Sequence, residues 1–143
     1  MLQKFRSLIV IFIIQVQKVF DNGYRHLFGI PTLRRSKITP HLYLGGQYNI
    51  RGLKKLKKMG ITAIVNMRTT SIYPEADFEG FKYLHLPTKD QTPPALEDLL
   101  KGAVFIENEI NNNGKVYIHC HHGQGRGPSM AIAYLIKKGA TFE

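Results

Sequence analysis

The sequence predicts an α/β fold, with a central, mostly parallel sheet flanked by helices. Three observations support it. Short apolar runs at residues 42–44, 61–67, 81–86 and 116–119 alternate with longer segments of helical periodicity. Turn and stop residues (Gly45-Gly46, Gly60, Asn111-Asn112-Asn113-Gly114, Gly139) separate the runs. The length of 143 residues, 43% apolar and 21% charged, suits one compact domain and excludes disordered, collagen-like and coiled-coil chains.

Residues 2–20 read as one helix. Leu2, Phe5, Ile9, Phe12, Val16 and Val19 recur at helical spacing, and Asp21-Asn22-Gly23 ends the pattern. Its middle, Leu8 through Ile14, is apolar on most faces and is flanked by Lys4, Arg6 and Lys18. This run is far shorter than the ~20 residues a membrane span needs. Gln15-Val16-Gln17 offers no small-residue cleavage site. The helix either packs on the domain or lies on an acidic membrane surface with its basic collar; a cleaved organelle-targeting segment is a third reading. Residues 23–40 read as an irregular basic linker, with Arg34, Arg35 and Lys37 before Pro40. The expected organisation is therefore a basic N-terminal helix and linker over 1–37 and a compact domain over 38–143.

Within the domain, strand 42–44 ends at Gly45-Gly46. Asn49 caps a helix over 50–59 with the stripe Ile50, Leu53, Leu56 and Met59, and Gly60 stops it. Lys54, Lys55, Lys57 and Lys58 fall mostly outside that stripe and read as a solvated face. Strand 61–67 is of buried type, and strand 81–86 ends at Pro87. A polar loop over 88–94 precedes a helix over 95–109, with Pro94 near its first turn. Strand 116–119 runs into a Gly-rich loop over 120–127, and a helix follows over 128–138. Thr141-Phe142-Glu143 reads as the start of a further helix, so the domain is expected to lack its C-terminal helix.

The net charge is +10, and residues 1–37 carry +6 of it. Phosphates, nucleic acid or an acidic membrane surface are the favoured partners. Cys120 is the single cysteine, which excludes an intramolecular disulfide and suits a reducing, cytoplasmic compartment.

The chemistry concentrates in His119-Cys120-His121-His122-Gly123-Gln124-Gly125-Arg126-Gly127-Pro128-Ser129. A loop between a strand and a helix presents converging backbone N–H groups and the positive end of the helix to an anion. Gly123, Gly125 and Gly127 permit positive φ and close approach of a ligand. A thiolate at Cys120 is a competent nucleophile, favoured by the helix end and by Arg126. The planar fork of Arg126 can hold two phosphoryl oxygens. His121, His122, Gly123, Gln124 and Gly125 complete the expected phosphate cradle. A His-Cys-His-His cluster also suggests a metal, but adjacent ligands in a tight loop do not converge on one tetrahedral ion.

This loop resembles the His-Cys-x5-Arg signature of the cysteine-dependent protein tyrosine phosphatase superfamily. The stretches 42–47, 60–68 and 86–106 resemble its small dual-specificity branch, so the resemblance covers about residues 38–143. It implies that superfamily's fold, a phosphocysteine intermediate at Cys120, and neither a metal nor an organic cofactor. His119 resembles the family histidine that orients the loop and tunes the thiol, a supporting role. A general acid is also implied. Asp77, Asp90 and Asp98 are the candidates. Asp90 is chosen because its loop and its thirty-residue interval to Cys120 match the family's acid.

The expected function is phosphomonoester hydrolysis on phosphotyrosine, phosphoserine or phosphothreonine in proteins, or on phospholipid head groups. A slow or non-catalytic phosphate-binding module is the alternative. No stacking aromatics flank the loop, which disfavours nucleic acid. The chain departs from the family at Gly127, where a Ser or Thr hydroxyl usually assists breakdown of the intermediate; this predicts slow turnover. Arg68 is expected to form a structural ion pair.

Overall fold

The computed structural model describes residues 2–30, 36–71, 73–74, 78 and 80–141, with side chains from residue 6 onward. The elements are α1 (Leu2–Phe28), β1 (Leu42–Gly45), α2 (Ile50–Lys58), β2 (Ala63–Asn66), β3 (Lys82–His85), α3 (Leu96–Asn111), β4 (Val116–His119) and α4 (Arg126–Lys137). The four strands form one all-parallel sheet in the order β1-β4-β2-β3. Parallel strands need crossover connections; α2 crosses from β1 to β2 and α3 from β3 to β4, which inserts between β1 and β2.

Both faces of the sheet are covered, so the strands are buried runs. Ala63, Val65 and Met67 pack with Val116, Ile118 and Cys120 against Ala103 and Ile106 of α3 and Met130 of α4. The intervening Ile64 and Tyr117 pack on the opposite face with Leu53 and Leu56 of α2, Tyr48 and Ile30. Asn49 caps α2 as expected, its Oδ1 accepting from Arg51 N–H at 2.9 Å and Gly52 N–H at 3.2 Å. β4 lies between β1 and β2, and His119 is in register with both Gly45 and Asn66. Three strands therefore end side by side, the edge at which open α/β sheets bind ligands.

α1 is longer than its sequence pattern suggests. It passes through Asp21-Asn22-Gly23 and continues to Phe28. An exposed mid-helix glycine costs only about 1 kcal/mol, and several contacts offset that cost. Tyr24 lies 4.4 Å from Phe28 between ring centroids and beneath Lys55 Nζ at 5.5 Å. Arg25 Nη2 donates to Asn22 Oδ1 at 2.9 Å. The helix stops at Gly29, whose φ is +82°. The linker expected from residue 23 thus begins later, and Ile30 is fully buried in the α2-side core. Arg34, Arg35, Asp77, Phe142 and Glu143 lie outside the described residues. Among the described residues, no helix is long and apolar enough to cross a membrane.

The junction of α1 with α2 is close backbone packing. Gly29 O accepts from Asn49 N–H at 2.7 Å. A Cβ at Gly52 would strike that carbonyl, with its carbon at 2.7 Å. Helix propensity alone favours Ala over Gly by about 0.8–1.0 kcal/mol. Gly52→Ala is nevertheless expected to destabilise the fold by about 1–3 kcal/mol in urea titrations, through overpacking. A gain in stability would contradict this junction.

Candidate active site

β4 ends at His119, Cys120 follows, and α4 begins at Arg126. The helix starts two residues earlier than the sequence suggests. Pro128 then occupies the third helical position, still within the first turn, where a missing N–H breaks no intrahelical bond. Gly125 is the N-cap and supplies no side-chain cap. The first-turn N–H groups thus face the loop without a capping oxygen, an arrangement that favours an anion. Of the three loop glycines, only Gly123 has positive φ, +73°. A Cβ there would lie 2.8 Å from the Gly45 carbonyl carbon and oxygen. Gly125 has φ −131°, and Gly127 is helical, so neither needs the left-handed region.

Cys120 is buried, and its Sγ accepts from Gly123 N–H at 3.2 Å. Arg126 is 6% exposed. Its Nη1 donates to Thr88 O at 2.8 Å and to Met67 O at 3.5 Å. Its Nη2 is paired with Asp90 Oδ1 at 2.9 Å, although Asp90 is 72% exposed. Its Nε is buried without a hydrogen-bond partner among the described residues. Cys120, Arg126 and Asp90, with His121, His122, Gln124 and Gly125, line one cleft of about 490 Å³. The candidate nucleophile, cradle and acid are thus brought together. Asp98 lies instead in the first turn of α3, where its charge complements the helix dipole.

His119 is on the other face of the sheet, against the Tyr48 ring at 4.9 Å. Its Nδ1 lies 3.3 Å from the Cys120 carbonyl oxygen, an acceptor that selects the tautomer protonated there. Burial pushes the imidazole down to about 3; the Cys120 carbonyl opposes the shift, and Arg68, His85 and Arg126 add to it. His119 is therefore neutral and holds the strand end in place. The His121 and His122 rings are 4.3 Å apart, edge to face. Burial comes first in holding both below the ordinary histidine range, followed by repulsion from His122 at His121 and from Arg25 and Lys18 at His122.

Several functional neighbours are not evident from sequence. Gln47 N–H donates to His121 O at 2.9 Å, and Tyr117 OH donates to Gly46 O at 2.8 Å. Together they pin the β1 turn against the cradle. The Gly45-Gly46-Gln47 turn signal at the same sheet edge could have pointed to them. Arg68 pairs with no carboxylate among the described residues; its Nη1 donates to Gln47 Oε1 at 2.9 Å. Among the described residues that bond is to the side-chain amide of a residue whose backbone also holds the loop. Lys18, from α1, lines the cleft as well; its placement depends on tertiary packing and leaves no local signal. The Ser129 hydroxyl donates to Gly125 O at 3.1 Å, so it is committed to its own helix. A Cβ at Gly127 would lie 3.7 Å from Cys120 Sγ and 2.8 Å from Leu44 Cδ1. Leu44 occupies the space that a side chain at 127 would take.

Residues 42–141 match the family described as dual specificity phosphatase, catalytic domain. The chain belongs to that family. It is similar to dual specificity protein phosphatase 1-A of Xenopus laevis, 32% identical over 103 residues, covering 71% of this chain and 27% of that protein. The chain thus spans about a quarter of that relative's length. Among solved structures it resembles Tk-PTP in the active form, with a TM-score of 0.69 and 27% identity, covering 74% of this chain and 75% of that one. It also resembles PTPMT1 in complex with PI(5)P, with a TM-score of 0.65 and 25% identity, covering 71% of each chain.

The neutral, buried His119 gives a signed prediction. Its folded pKa lies below its unfolded one, so the unfolded state takes up the extra proton as pH falls below about 6.5. Stability is then lost from about pH 6.5 downward, by at most about 1.4 kcal/mol per pH unit from this group. His121 and His122 shift in the same direction. Urea titrations between about pH 6.5 and pH 5 are expected to show a shallower loss for His119→Asn than for the wild type. Parallel curves would contradict a neutral His119.

Proposed function

We propose that this member of the family is a phosphomonoester phosphatase working through a phosphocysteine intermediate. The observation that carries this reading is the convergence of Cys120, Arg126 and Asp90 on one cleft at the carboxyl end of β4. The substrate classes are phosphorylated protein side chains and phospholipid head groups. The likeness to PTPMT1, whose structure holds PI(5)P, supports the second class.

In the free protein, the Asp90 carboxylate occupies the Arg126 fork. An arriving phosphoryl dianion replaces it there and is held by Arg126 and the N–H groups of the loop and the first turn of α4. The displaced Asp90 carboxylate takes up a proton from solvent and is then free to reach the leaving oxygen. The Cys120 thiolate attacks phosphorus in line, forming the S–P bond while the P–O ester bond breaks. Asp90 gives its proton to the departing oxygen, releasing an alcohol or phenol. Asp90, now a carboxylate, next takes a proton from water as that water attacks phosphorus. The S–P bond breaks, the thiolate is restored and phosphate leaves. With Gly127 in place of a hydroxyl residue and Ser129 turned to Gly125, the second step is the slow one.

The substrate surface of the second class is an acidic membrane. In α1 the consecutive residues Leu8 through Ile14 are all exposed, between 40% and 69%. An outward apolar face on a helix whose inward face is polar suits the boundary between head groups and acyl chains. Arg6 and Lys18 flank the run and complement acidic lipid. On this reading the protein works at the cytoplasmic side of such a surface.

Rapid-mix hydrolysis of p-nitrophenyl phosphate tests the reading. The expected result is a burst of about one p-nitrophenol per protein followed by a slow steady phase. Cys120→Ser should abolish both phases. Asp90→Ala should slow alkyl phosphates more than aryl phosphates, by about 10²–10⁴-fold. Unchanged turnover in Cys120→Ser would overturn the mechanism.

A further inference from the structure

The second candidate function lies in the orientation of α1. Within residues 6–28 the part-buried positions are Lys18, Asp21, Tyr24 and Arg25, which share one face at helical spacing. Leu8 through Ile14, Val16, Val19, Phe20, Leu27 and Phe28 are exposed. A helix held by apolar burial alone would turn the opposite face inward. Here the inward face is polar, and it meets the mouth of the cleft. Lys18 lines the catalytic cleft with Cys120 and Arg126. Lys18 and Arg25 also line an adjoining pocket with His121, His122 and Gln124.

The remaining lining of that pocket is Asp21 and Asn22. Asn22 accepts from Arg25 Nη2 at 2.9 Å and so fixes the guanidinium within the helix. Among the described residues Asp21 is the one carboxylate of the lining, against two permanent cations. The fields of Arg25 and Lys18 reach the His122 ring, and that of Arg25 reaches His121. Two cationic and two imidazole side chains therefore stand next to a cradle suited to phosphate. Lys18 and Arg25 both lie outside residues 42–141, so these cations are additions to the family's matched domain.

We propose that Lys18 and Arg25, with His121 and His122, form a second anion-binding subsite, so that preferred substrates carry a second phosphate beside the phosphomonoester that is cleaved. Cleavage rests on the phosphatase reading; binding at the subsite does not. The chemistry is that of a phosphorylated polyol with a neighbouring phosphate ester. In a phospholipid head group the diester supplies that second anion. The outward apolar face of α1 favours this lipid source over a phosphopeptide.

A matched set of probes tests it. Inositol 5-phosphate has one phosphate, glycerophosphoinositol 5-phosphate adds the diester, and dioctanoyl phosphatidylinositol 5-phosphate adds acyl chains. In the wild type, kcat/KM for the second probe should exceed that for the first about tenfold, the scale of one or two charge-assisted contacts. In Lys18→Met/Arg25→Met, which keeps the side-chain stems, that ratio should fall close to one. A wild-type ratio below about two, a double variant that keeps the wild-type ratio, or a phosphotyrosine peptide preferred over both two-phosphate probes would overturn the subsite. A further rise with the acylated probe identifies the lipid source; equal values for the second and third probes identify the free head group, and either supports the subsite. Calorimetric binding of the same probes to Cys120→Ser protein reads the subsite without turnover. Absence of any Cys120-dependent phosphate release would sink the phosphatase reading alone, and absence of a tighter two-phosphate complex would sink the subsite.

Discussion

Burying a guanidinium without partners costs several kcal/mol, so Arg126 constrains every element that touches it. Its fork spans the end of β2 through Met67 O, the loop before α3 through Thr88 O, and Asp90 in the same loop. These contacts fix the start of α4, and with it the loop that carries Cys120. Its Nε has no partner among the described residues. A phosphoryl oxygen would satisfy that donor as well as the Nη2 now held by Asp90. The same side chain thus stabilises the fold and leaves hydrogen-bonding capacity for a ligand.

The cradle is also braced from the β1 side. Gly123 packs on the Gly45 carbonyl, Gln47 holds His121, and Tyr117 holds Gly46. Most of these contacts involve backbone atoms, which position a site more rigidly than long side chains do. Asp90 differs, since it sits on an exposed loop; in the proposed role of general acid it would move between holding Arg126 and reaching a leaving group. α1 contributes in another way. It attaches at the Gly29–Gly52 junction and presents charge rather than apolar surface to the cleft. Membrane docking by its outer face and anion binding by its inner face would act together, since the same helix would set the height of the cleft above the head groups.

Much of this is legible in the residues. The strand at 116–119, the Asn49 cap and the Cys120–Arg126 spacing follow from local patterns whose physics is local: periodicity, capping and loop chemistry. Asp90 is marked by its position after a strand, and the structure sets it against Arg126. The rest depends on tertiary contact. Gly23 looks like a helix stop, but Tyr24 and Lys55 carry the helix through it. Arg68 looks like half of an ion pair; among the described residues its side chain bonds the Gln47 amide instead. Lys18 has no local mark at all, because only the packing of α1 brings it to the cleft.

The role of the guanidinium fork is read most sharply by the inhibition constant of inorganic phosphate for Arg126→Lys, with folding checked by circular dichroism. Lysine keeps the charge but loses the fork and the simultaneous bonds to Thr88, Met67 and ligand. The expected result is phosphate binding weakened at least tenfold, about 1.4 kcal/mol, in a protein that still folds. Phosphate bound as tightly by the Arg126→Lys variant as by the wild type would show that charge alone holds the anion and would contradict the role assigned to the fork.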